Sequence, residues 1–250
     1  MKIVGTIEAR MGSTRSPGKT LTEIYEGVSL LGLVCRRFRL CRNIDDLYVA
    51  TTVKSQDDPI AEWCTRNSVN YYRGSESNVL DRVFKTAESA SADTIVQMGA
   101  DSAYLDYEII DKLVFLYRSG SYDFVCNDLE LTYPLGIYGH VVSVARLSEI
   151  NKYDRLTDQD REDVISFLLK HPEKYRILNI TAPDELAFPQ LRLTVDYPED
   201  IEQAQNVYRR LKRFDFKTSD VIELYHRNPE IFVKTINLIQ KSAPFLMKKQ

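Results

Sequence analysis

The 250-residue chain lacks any long apolar run and contains only four cysteines. No window approaches the roughly 18 consecutive apolar residues that a membrane-spanning helix needs, so we expect no membrane span. The strand-like segment 3–7 is too short for the apolar region of a secretory signal peptide. No CxxC pair occurs, which disfavours a zinc site or a redox motif and favours a reduced, cytoplasmic protein.

The chain also lacks an excess of either charge, because 33 Lys and Arg residues oppose 36 Asp and Glu residues. A net charge of −3 disfavours a general nucleic-acid-binding protein, which needs a basic surface to release counterions. Apolar residues at 44% and charged residues at 28% are typical of a globular protein with a sizeable core. No internal repeat, low-complexity segment or linker divides the sequence, so we expect one domain, 1–250.

The first half of the chain alternates strand-like and helix-like segments. Predicted strands are 2–7, 47–52, 69–72, 94–98 and 123–126, and predicted helices are 29–42, 59–66, 79–90 and 106–118. Strands that alternate with helices are joined by right-handed crossovers in a parallel sheet. The predicted fold class is therefore α/β, with a Rossmann-like, mostly parallel sheet flanked by helices.

The second half has a mixed pattern. Predicted strands are 141–145, 176–180 and 191–195, and predicted helices are 158–170, 198–212, 219–227 and 230–241. We expect this half to complete the sheet and to bind an acceptor. The domain then consists of a nucleotide-binding half (1–126), an acceptor-binding half (127–215) and C-terminal helices (216–250).

A basic, glycine-containing loop, 8–19, joins the first predicted strand to the first helix. Ligands of an open parallel sheet bind beyond the carboxyl ends of its strands, where this loop must lie. Arg10, Arg15 and Lys19 carry positive charge, and no acidic residue lies between residues 9 and 19. Guanidinium groups and backbone donors suit a nucleoside triphosphate, whereas a solvated loop with a chance basic cluster is the alternative. The spacing of Gly12 and Lys19 excludes a Walker P-loop.

The run Ile7-Glu8-Ala9-Arg10-Met11-Gly12-Ser13-Thr14-Arg15-Ser16-Pro17-Gly18-Lys19 closely resembles the signature of the spore-coat polysaccharide cytidylyltransferases. These belong to the family that makes CMP-activated acidic sugars such as CMP-Kdo and CMP-sialic acid. This sequence has Glu8 where Gln is usual and Ser16 where Leu is usual. Further similar motifs follow in the family's order at 50–52, 57–60, 73–82 and 193–200. The resemblance covers most of the chain and implies the fold of the nucleotide-diphospho-sugar transferases.

The resemblance implies transfer of CMP from CTP to an acidic sugar or to a phosphorylated or phosphonate acceptor, with release of pyrophosphate. The implied pathway is the biosynthesis of surface polysaccharide or glycoconjugate, and the relatives are often homodimers. The implied catalytic residues are Arg10, Arg15, Lys19 and Asp101. The implied nucleotide-binding residues are Ala9, Arg10, Met11, Gly12, Ser13, Arg15, Lys19, Thr51, Arg73, Ser75 and Asp101. For the stretch from Arg73 to Ser75, an ordinary strand-to-helix turn is the alternative.

Two aspartates are the predicted metal ligands. Asp101 follows the predicted strand 94–98, and Asp196 follows the apolar segment 191–195. Mg²⁺ is usually held by few carboxylates together with water and phosphate, so it is the predicted cofactor. Asp101 also matches the family's metal-binding aspartate. Asp196 is placed equally to cap the helix that begins at Pro198.

The sequence departs from the family on the acceptor side. The family's acidic residues in the segment matching 132–140 are replaced by Leu135, Tyr138 and His140. The family's R-E-H-V becomes 161–164 without the histidine, and its C-P-L becomes 102–104. We therefore expect an atypical acceptor. The predicted acceptor-binding residues are Tyr104, Tyr138, His140 and Arg161, although His140 could equally be an exposed strand-edge residue.

Two other functions stay open on the sequence alone. One is a nucleotidyltransferase that joins a different nucleoside triphosphate to a sugar phosphate. The other is an inactive nucleotide-binding protein with a regulatory role, which the altered acceptor motifs permit. The sequence does not identify the acceptor.

Overall fold

A seven-stranded sheet lies at the centre of the computed structural model, which describes residues 1–238. The strands along the chain are β1 (Ile3–Glu8), β2 (Glu23–Tyr25), β3 (Val28–Ser29), β4 (Asp46–Thr52), β5 (Asn70–Gly74), β6 (Thr94–Gly99), β7 (Phe124–Cys126), β8 (His140–Ser143) and β9 (Ile177–Asn179). The order in the sheet is β5-β4-β1-β6-β8-β7-β9, and β2 and β3 form a separate hairpin. Strand β8 is antiparallel to both neighbours, whereas the other pairs are parallel. The predicted α/β fold with a mostly parallel sheet is confirmed.

Helices cover both faces of this sheet. They are α1 (Leu30–Phe38), α2 (Asp58–Arg66), α3 (Val79–Ser89), α4 (Tyr107–Ser119), α5 (Val144–Asn151), α6 (Asp158–Glu162), α7 (Ser166–Lys170), α8 (Pro198–Leu211) and α9 (Thr218–Arg227). Within residues 1–238, none of them has the length and apolarity needed to cross a membrane. The central strands are buried on both faces, as expected for parallel strands between two helical layers.

A buried arginine on the first helix binds both the loop after β6 and the segment between α8 and α9. The predicted helix 29–42 is present as α1, which is capped by the Ser29 hydroxyl. Arg37 lies on its apolar face and is completely buried. Its guanidinium donates hydrogen bonds to the backbone oxygens of Leu105 (2.5 Å), Phe214 (2.7 Å) and Phe216 (2.5 Å). These bonds compensate the burial of the charge and hold the loop after β6 in place.

The predicted strand 191–195 was wrong. Only one bridge forms there, between Leu135 and Arg192, because the segment runs beside a turn rather than beside a strand. The alternation of Leu191, Leu193 and Val195 reflects burial in the core without a ladder of strand hydrogen bonds. The intervening Arg192 and Thr194 are buried as well, so the pattern identified a buried segment but not its secondary structure.

Two other predicted elements differ in extent. The helix predicted for 158–170 is interrupted after α6, because Asp163 is extended and its carboxylate accepts a hydrogen bond from the Ile165 amide (3.1 Å). The strand predicted for 141–145 ends at Ser143, whose hydroxyl caps α5, a helix missed in the sequence. The helix predicted for 230–241 is replaced by a short 3₁₀ turn at Pro229–Ile231 followed by further turns, and 239–241 lie outside the described residues.

Candidate active site

A cavity of about 320 Å³ opens beyond the carboxyl ends of β1 and β6. These strands are adjacent and parallel, and Glu8 at the end of β1 lies opposite Gly99 at the end of β6. Ligands of α/β proteins bind at this edge of the sheet. Seven predicted site residues line the cavity: Ala9, Arg10, Ser13, Arg15, Lys19, Asp101 and Asp196. The structure thus brings together residues that are distant in the sequence.

The loop after β1 is held in one conformation by its own backbone and by a buried carboxylate. The amide of Met11 donates a hydrogen bond to Asp57 Oδ1 (2.7 Å), and the Thr52 hydroxyl donates to the other oxygen of that carboxylate. The amide of Gly18 donates to the backbone oxygen of Met11 (3.0 Å), which closes the loop. Gly18 has a φ of 78°, a conformation that favours glycine. These hydrogen bonds therefore fix the loop that forms one wall of the cavity.

Lys19 connects the loop to both predicted metal ligands. Its Nζ lies 2.6 Å from the backbone oxygen of Val195, 3.0 Å from Asp196 Oδ1 and 3.6 Å from Asp101 Oδ2. Arg15 Nη2 also donates to Asp196 Oδ1, at 2.8 Å. Two cations and two carboxylates thus meet where a triphosphate would bring several further negative charges.

The surroundings of Asp101 disfavour the ionised form of its carboxyl group. Burial raises the pKa of its carboxyl group, Lys19 lowers it, and the charge of Asp196 raises it again, with a net rise. A cation that binds to both carboxylates would favour the ionised form.

Asp196 is positioned by a second, deeper carboxylate. The Asp200 side chain is fully buried and accepts hydrogen bonds from the Asp196 amide (2.9 Å), the Tyr197 amide (3.0 Å) and Arg192 Nε (2.8 Å). The N-cap residue of α8 is Tyr197. Asp196 therefore directs its carboxylate toward Lys19 and Arg15 and does not cap the helix.

The remaining predicted nucleotide-binding residues lie off the cavity wall. Met11 and Gly12 belong to the loop, and Thr51 is buried in β4. Arg73 donates to the backbone oxygens of Thr52 and Lys54 and pairs with Asp58, on the far side of β4. The Ser75 hydroxyl accepts a hydrogen bond from the Asn78 amide (3.1 Å) in the turn before α3. Arg73 and Ser75 are thus engaged locally, as the turn alternative requires.

The structure brings none of the four predicted acceptor-binding residues to the cavity wall. Tyr104 is buried between Tyr208 and Phe216 in the core. Arg161 lies on α6, but the next residue, Glu162, is the one that reaches the cavity. Tyr104 is therefore buried away from the cavity, whereas Arg161 lies on α6 beside a residue that lines it.

Tyr138 and His140 lie behind the wall rather than on it. The Tyr138 hydroxyl accepts a hydrogen bond from the Gly99 amide (2.9 Å), next to Asp101. His140 is buried on β8, which lies between β6 and β7, so it is not an exposed strand-edge residue. Both residues therefore contact β6, whose end forms part of the cavity wall, and do not line the cavity themselves.

Sequence reasoning missed several residues of the cavity wall. Glu76, Val79, Arg82 and Glu162 line its other end. Arg82 is almost fully buried, and its Nε has no hydrogen-bond partner among the described residues. Burial lowers the pKa of Arg82, although Glu8 opposes this effect. The motif at 73–82 that resembles the family contained this signal, because it ends at Arg82.

Comparison with known proteins defines the class of enzyme to which this fold and site belong. The family model for cytidylyltransferases matches residues 4–242, so the chain is a nucleotidyltransferase. It is 34% identical, over 235 residues, to the spore coat polysaccharide biosynthesis protein SpsF of Bacillus subtilis strain 168, covering 91% of this chain and 95% of that protein. The chain belongs to the cytidylyltransferase family.

Solved structures support this placement. A cytidylyltransferase from Leptospira borgpetersenii serovar Hardjo-bovis superposes with a TM-score of 0.86 at 28% identity, over 97% of this chain and 100% of that one. A CMP-2-keto-3-deoxy-manno-octonic acid synthetase in complex with CTP has a TM-score of 0.61 at 15% identity, over 84% of this chain and 100% of that one. The second likeness concerns the fold alone.

Proposed function

We propose that this protein transfers CMP from CTP to a sugar-like acceptor and releases pyrophosphate, in the biosynthesis of surface polysaccharide or glycoconjugate. The observation that carries the proposal is the meeting of Arg10, Arg15 and Lys19 with Asp101 and Asp196 in one cavity. The relative from B. subtilis is named for spore coat polysaccharide biosynthesis, and the similar synthetase structure contains CTP. The first name agrees with the proposed pathway, and the second agrees with CTP as the substrate.

The reaction requires positioning and charge neutralisation rather than a covalent enzyme intermediate. An acceptor oxygen attacks the α-phosphorus in line, a new O–P bond forms, and the bond to the leaving pyrophosphate breaks. Arg10, Arg15 and Lys19 face the site where negative charge grows on the phosphates. Fixed cations in a partly closed cavity stabilise that charge without reorganisation.

Asp101 and Asp196 are suited to hold Mg²⁺ together with phosphate oxygens. The unfavourable ionisation of Asp101 beside Asp196 is what a bound divalent cation would relieve. No cluster of three or more candidate metal ligands occurs within residues 1–238, which is consistent with an ion that takes its other ligands from phosphate and water. Mg²⁺, when bound, neutralises phosphate charge and lowers the pKa of the attacking group.

CTP is expected to bind at least about tenfold more tightly than ATP, GTP or UTP, which corresponds to about 1.4 kcal/mol. The expectation rests on the cytidylyltransferase family to which the chain belongs. Titration calorimetry with each nucleotide in the presence of Mg²⁺ measures the difference. A preference for another base would contradict the cytidylyl assignment and leave the fold unaffected.

Asp57→Ala is expected to weaken CTP binding about tenfold, because the loop loses the acceptor for the Met11 amide. The neighbouring Asp58 is half-exposed and pairs with Arg73 away from the cavity, so Asp58→Ala is the matched control. Calorimetry should give the parent dissociation constant for Asp58→Ala. Equal affinities for the two variants would show that the binding conformation of the loop does not depend on Asp57.

A pyrophosphate-release assay separates this proposal from its alternatives. Release with CTP and an acceptor supports it, release only with another triphosphate favours a different nucleotidyltransferase, and nucleotide binding without release favours a regulatory protein. The homodimer and the cytoplasmic location stay predictions. Light scattering coupled to size exclusion tests the first, and fractionation of cells tests the second.

A further inference from the structure

A chain of buried hydrogen bonds runs from the cavity wall into the sheet. Glu8 lines the cavity, and its Oε1 accepts a hydrogen bond from Gln97 Nε2 (2.5 Å). Gln97 Oε1 lies 2.7 Å from His140 Nδ1, and His140 Nε2 lies 2.9 Å from Asp128 Oδ2. Glu8, Gln97 and His140 come from the neighbouring strands β1, β6 and β8, so the sheet itself sets their spacing.

The donors and acceptors in this series of hydrogen bonds indicate which of its side chains carry a proton. A glutamine amide has one donating end and one accepting end, and the donating end of Gln97 faces Glu8. The accepting end then requires a proton on His140 Nδ1, and the Asp128 carboxylate requires a second proton on Nε2. With the Gln97 amide in this orientation, both ring nitrogens of His140 are donors, and the Glu8 oxygen that faces Gln97 is an acceptor.

The surrounding charges agree with this assignment. Burial raises the pKa of Glu8 to about 7, although Arg82 of α3, Gln97 and His140 lower it, and Asp163 after α6 raises it. Burial alone would lower the pKa of His140, but Asp128 outweighs this effect, so the pKa is raised. Glu8 is thus a carboxylate that can exchange a proton near neutral pH at the surface of the cavity.

We propose that Glu8 accepts the proton of the attacking acceptor hydroxyl. Gln97 and His140 are positioning residues that orient its carboxylate and favour its ionised form. The proposal rests on the proposed CMP transfer. The acceptor O–H bond breaks, and its proton binds to Glu8. The freed electron pair forms the O–P bond, and the pair of the broken P–O bond leaves with pyrophosphate. Glu8 afterwards releases the proton to water in the open cavity.

Three other carboxylates of the cavity wall are paired with or lie beside cations, whereas Glu162 lines the wall from α6. Asp196 is bound by Arg15 and Lys19, and Asp101 lies beside Lys19. Glu76 is paired with Lys54. Glu8, in contrast, is held by a neutral amide and lies opposite Gly99, two residues before Asp101. A base is needed for a hydroxyl acceptor but not for a phosphate, which is already ionised, so the proposed role of Glu8 applies to a hydroxyl acceptor.

The test measures pyrophosphate release from CTP and Mg²⁺ with a panel of hydroxyl acceptors, including 3-deoxy-manno-octulosonate, across the pH range. Glu8→Gln should lower the maximal rate about 100-fold and should abolish the fall in rate below neutral pH. Glu8→Asp should keep that fall at a reduced rate. His140→Gln should move it to higher pH, because the imidazolium no longer favours the ionised carboxylate.

Two controls distinguish a lost base from a damaged fold. Thr6 lies on the same face of β1, is fully buried, and its hydroxyl has no partner among the described residues. Thr6→Val should therefore leave both the rate and its pH dependence unchanged. Folding favours protonated Glu8, so the ionised carboxylate reduces stability as the pH rises toward 7. Glu8→Gln should accordingly melt no earlier than the parent above that pH.

The possible results separate the role of Glu8 from the proposed CMP transfer. Loss of rate and of its acid limb in Glu8→Gln, with CTP affinity close to that of the parent, supports the role of Glu8. A parent-like rate or a retained acid limb in that variant overturns the role and leaves CMP transfer intact. Absence of release by the parent protein with every acceptor overturns the proposed transfer and the role of Glu8 together.

Discussion

Asp101→Asn is expected to lower turnover roughly 10²–10³-fold while the protein stays folded. The substitution keeps the shape of the side chain but removes one of the two carboxylates that face Lys19 and the phosphate site. It should also weaken the dependence of the rate on Mg²⁺, because a neutral amide is a poor ligand for this ion. The measurements are rates of pyrophosphate release over a range of Mg²⁺ concentrations.

The same variant should be at least as stable as the parent in the absence of nucleotide and Mg²⁺. The pKa of Asp101 is raised, so the ionised carboxylate disfavours folding above that pKa, and no such penalty exists at lower pH. The amide removes the penalty at neutral pH. A site residue that reduces stability in the free protein is typical of a group arranged for its ligand.

The matched control is Asp154→Asn, the same change at an exposed position outside the cavity wall. It should leave the rate, the Mg²⁺ dependence and the melting temperature unchanged. Rates close to the parent in Asp101→Asn, with unchanged Mg²⁺ dependence, would remove Asp101 from the proposed metal site.

The loop and its strand could be predicted from the sequence because their signals are local. The apolar run of β1, Gly18 and the basic residues of the loop lie within 20 positions of each other, and the sheet edge is a general ligand site. Arg10 and Lys19 both line the cavity wall. Their catalytic roles stay predictions until rates are measured.

The acceptor side could not be predicted, because its geometry depends on contacts between distant parts of the chain. Tyr104 is removed from the cavity by Tyr208, which lies on α8. Arg161 lies on α6, which packs against α3, and its neighbour Glu162 is the residue that lines the cavity. In the sequence, Glu8 stood out only as a departure from the family pattern. Its hydrogen bond to Gln97, and that residue's contact with His140, form only when the strands pair in the sheet.

Lys19→Ala and Arg10→Ala are both expected to slow CMP transfer roughly 10²–10³-fold, but they should differ in stability. Arg10 is exposed and has no ion pair within residues 1–238, so its loss should cost less than about 1 kcal/mol. The Lys19 side chain is only 11% exposed and contacts Val195, Asp196 and Asp101. Its loss leaves two carboxylates less compensated, at an expected cost of about 3 kcal/mol.

Mg²⁺ should reverse part of this loss of stability. In Lys19→Ala the divalent ion can occupy the space between Asp101 and Asp196, so its addition should raise the melting temperature of this variant more than that of the parent or of Arg10→Ala. Lys19→Arg should recover little transfer activity, because a planar guanidinium does not replace a compact ammonium group between two carboxylates.

Melting curves with and without Mg²⁺, beside rates of pyrophosphate release, check all three variants. If Mg²⁺ does not raise the melting temperature of Lys19→Ala, Asp101 and Asp196 do not bind the ion in that variant. If Lys19→Ala and Arg10→Ala both transfer CMP at the parent rate, the triphosphate does not lie against the loop after β1. Slow transfer by both variants, with Mg²⁺-dependent recovery of stability only in Lys19→Ala, would support a triphosphate at the loop and a cation between the two carboxylates.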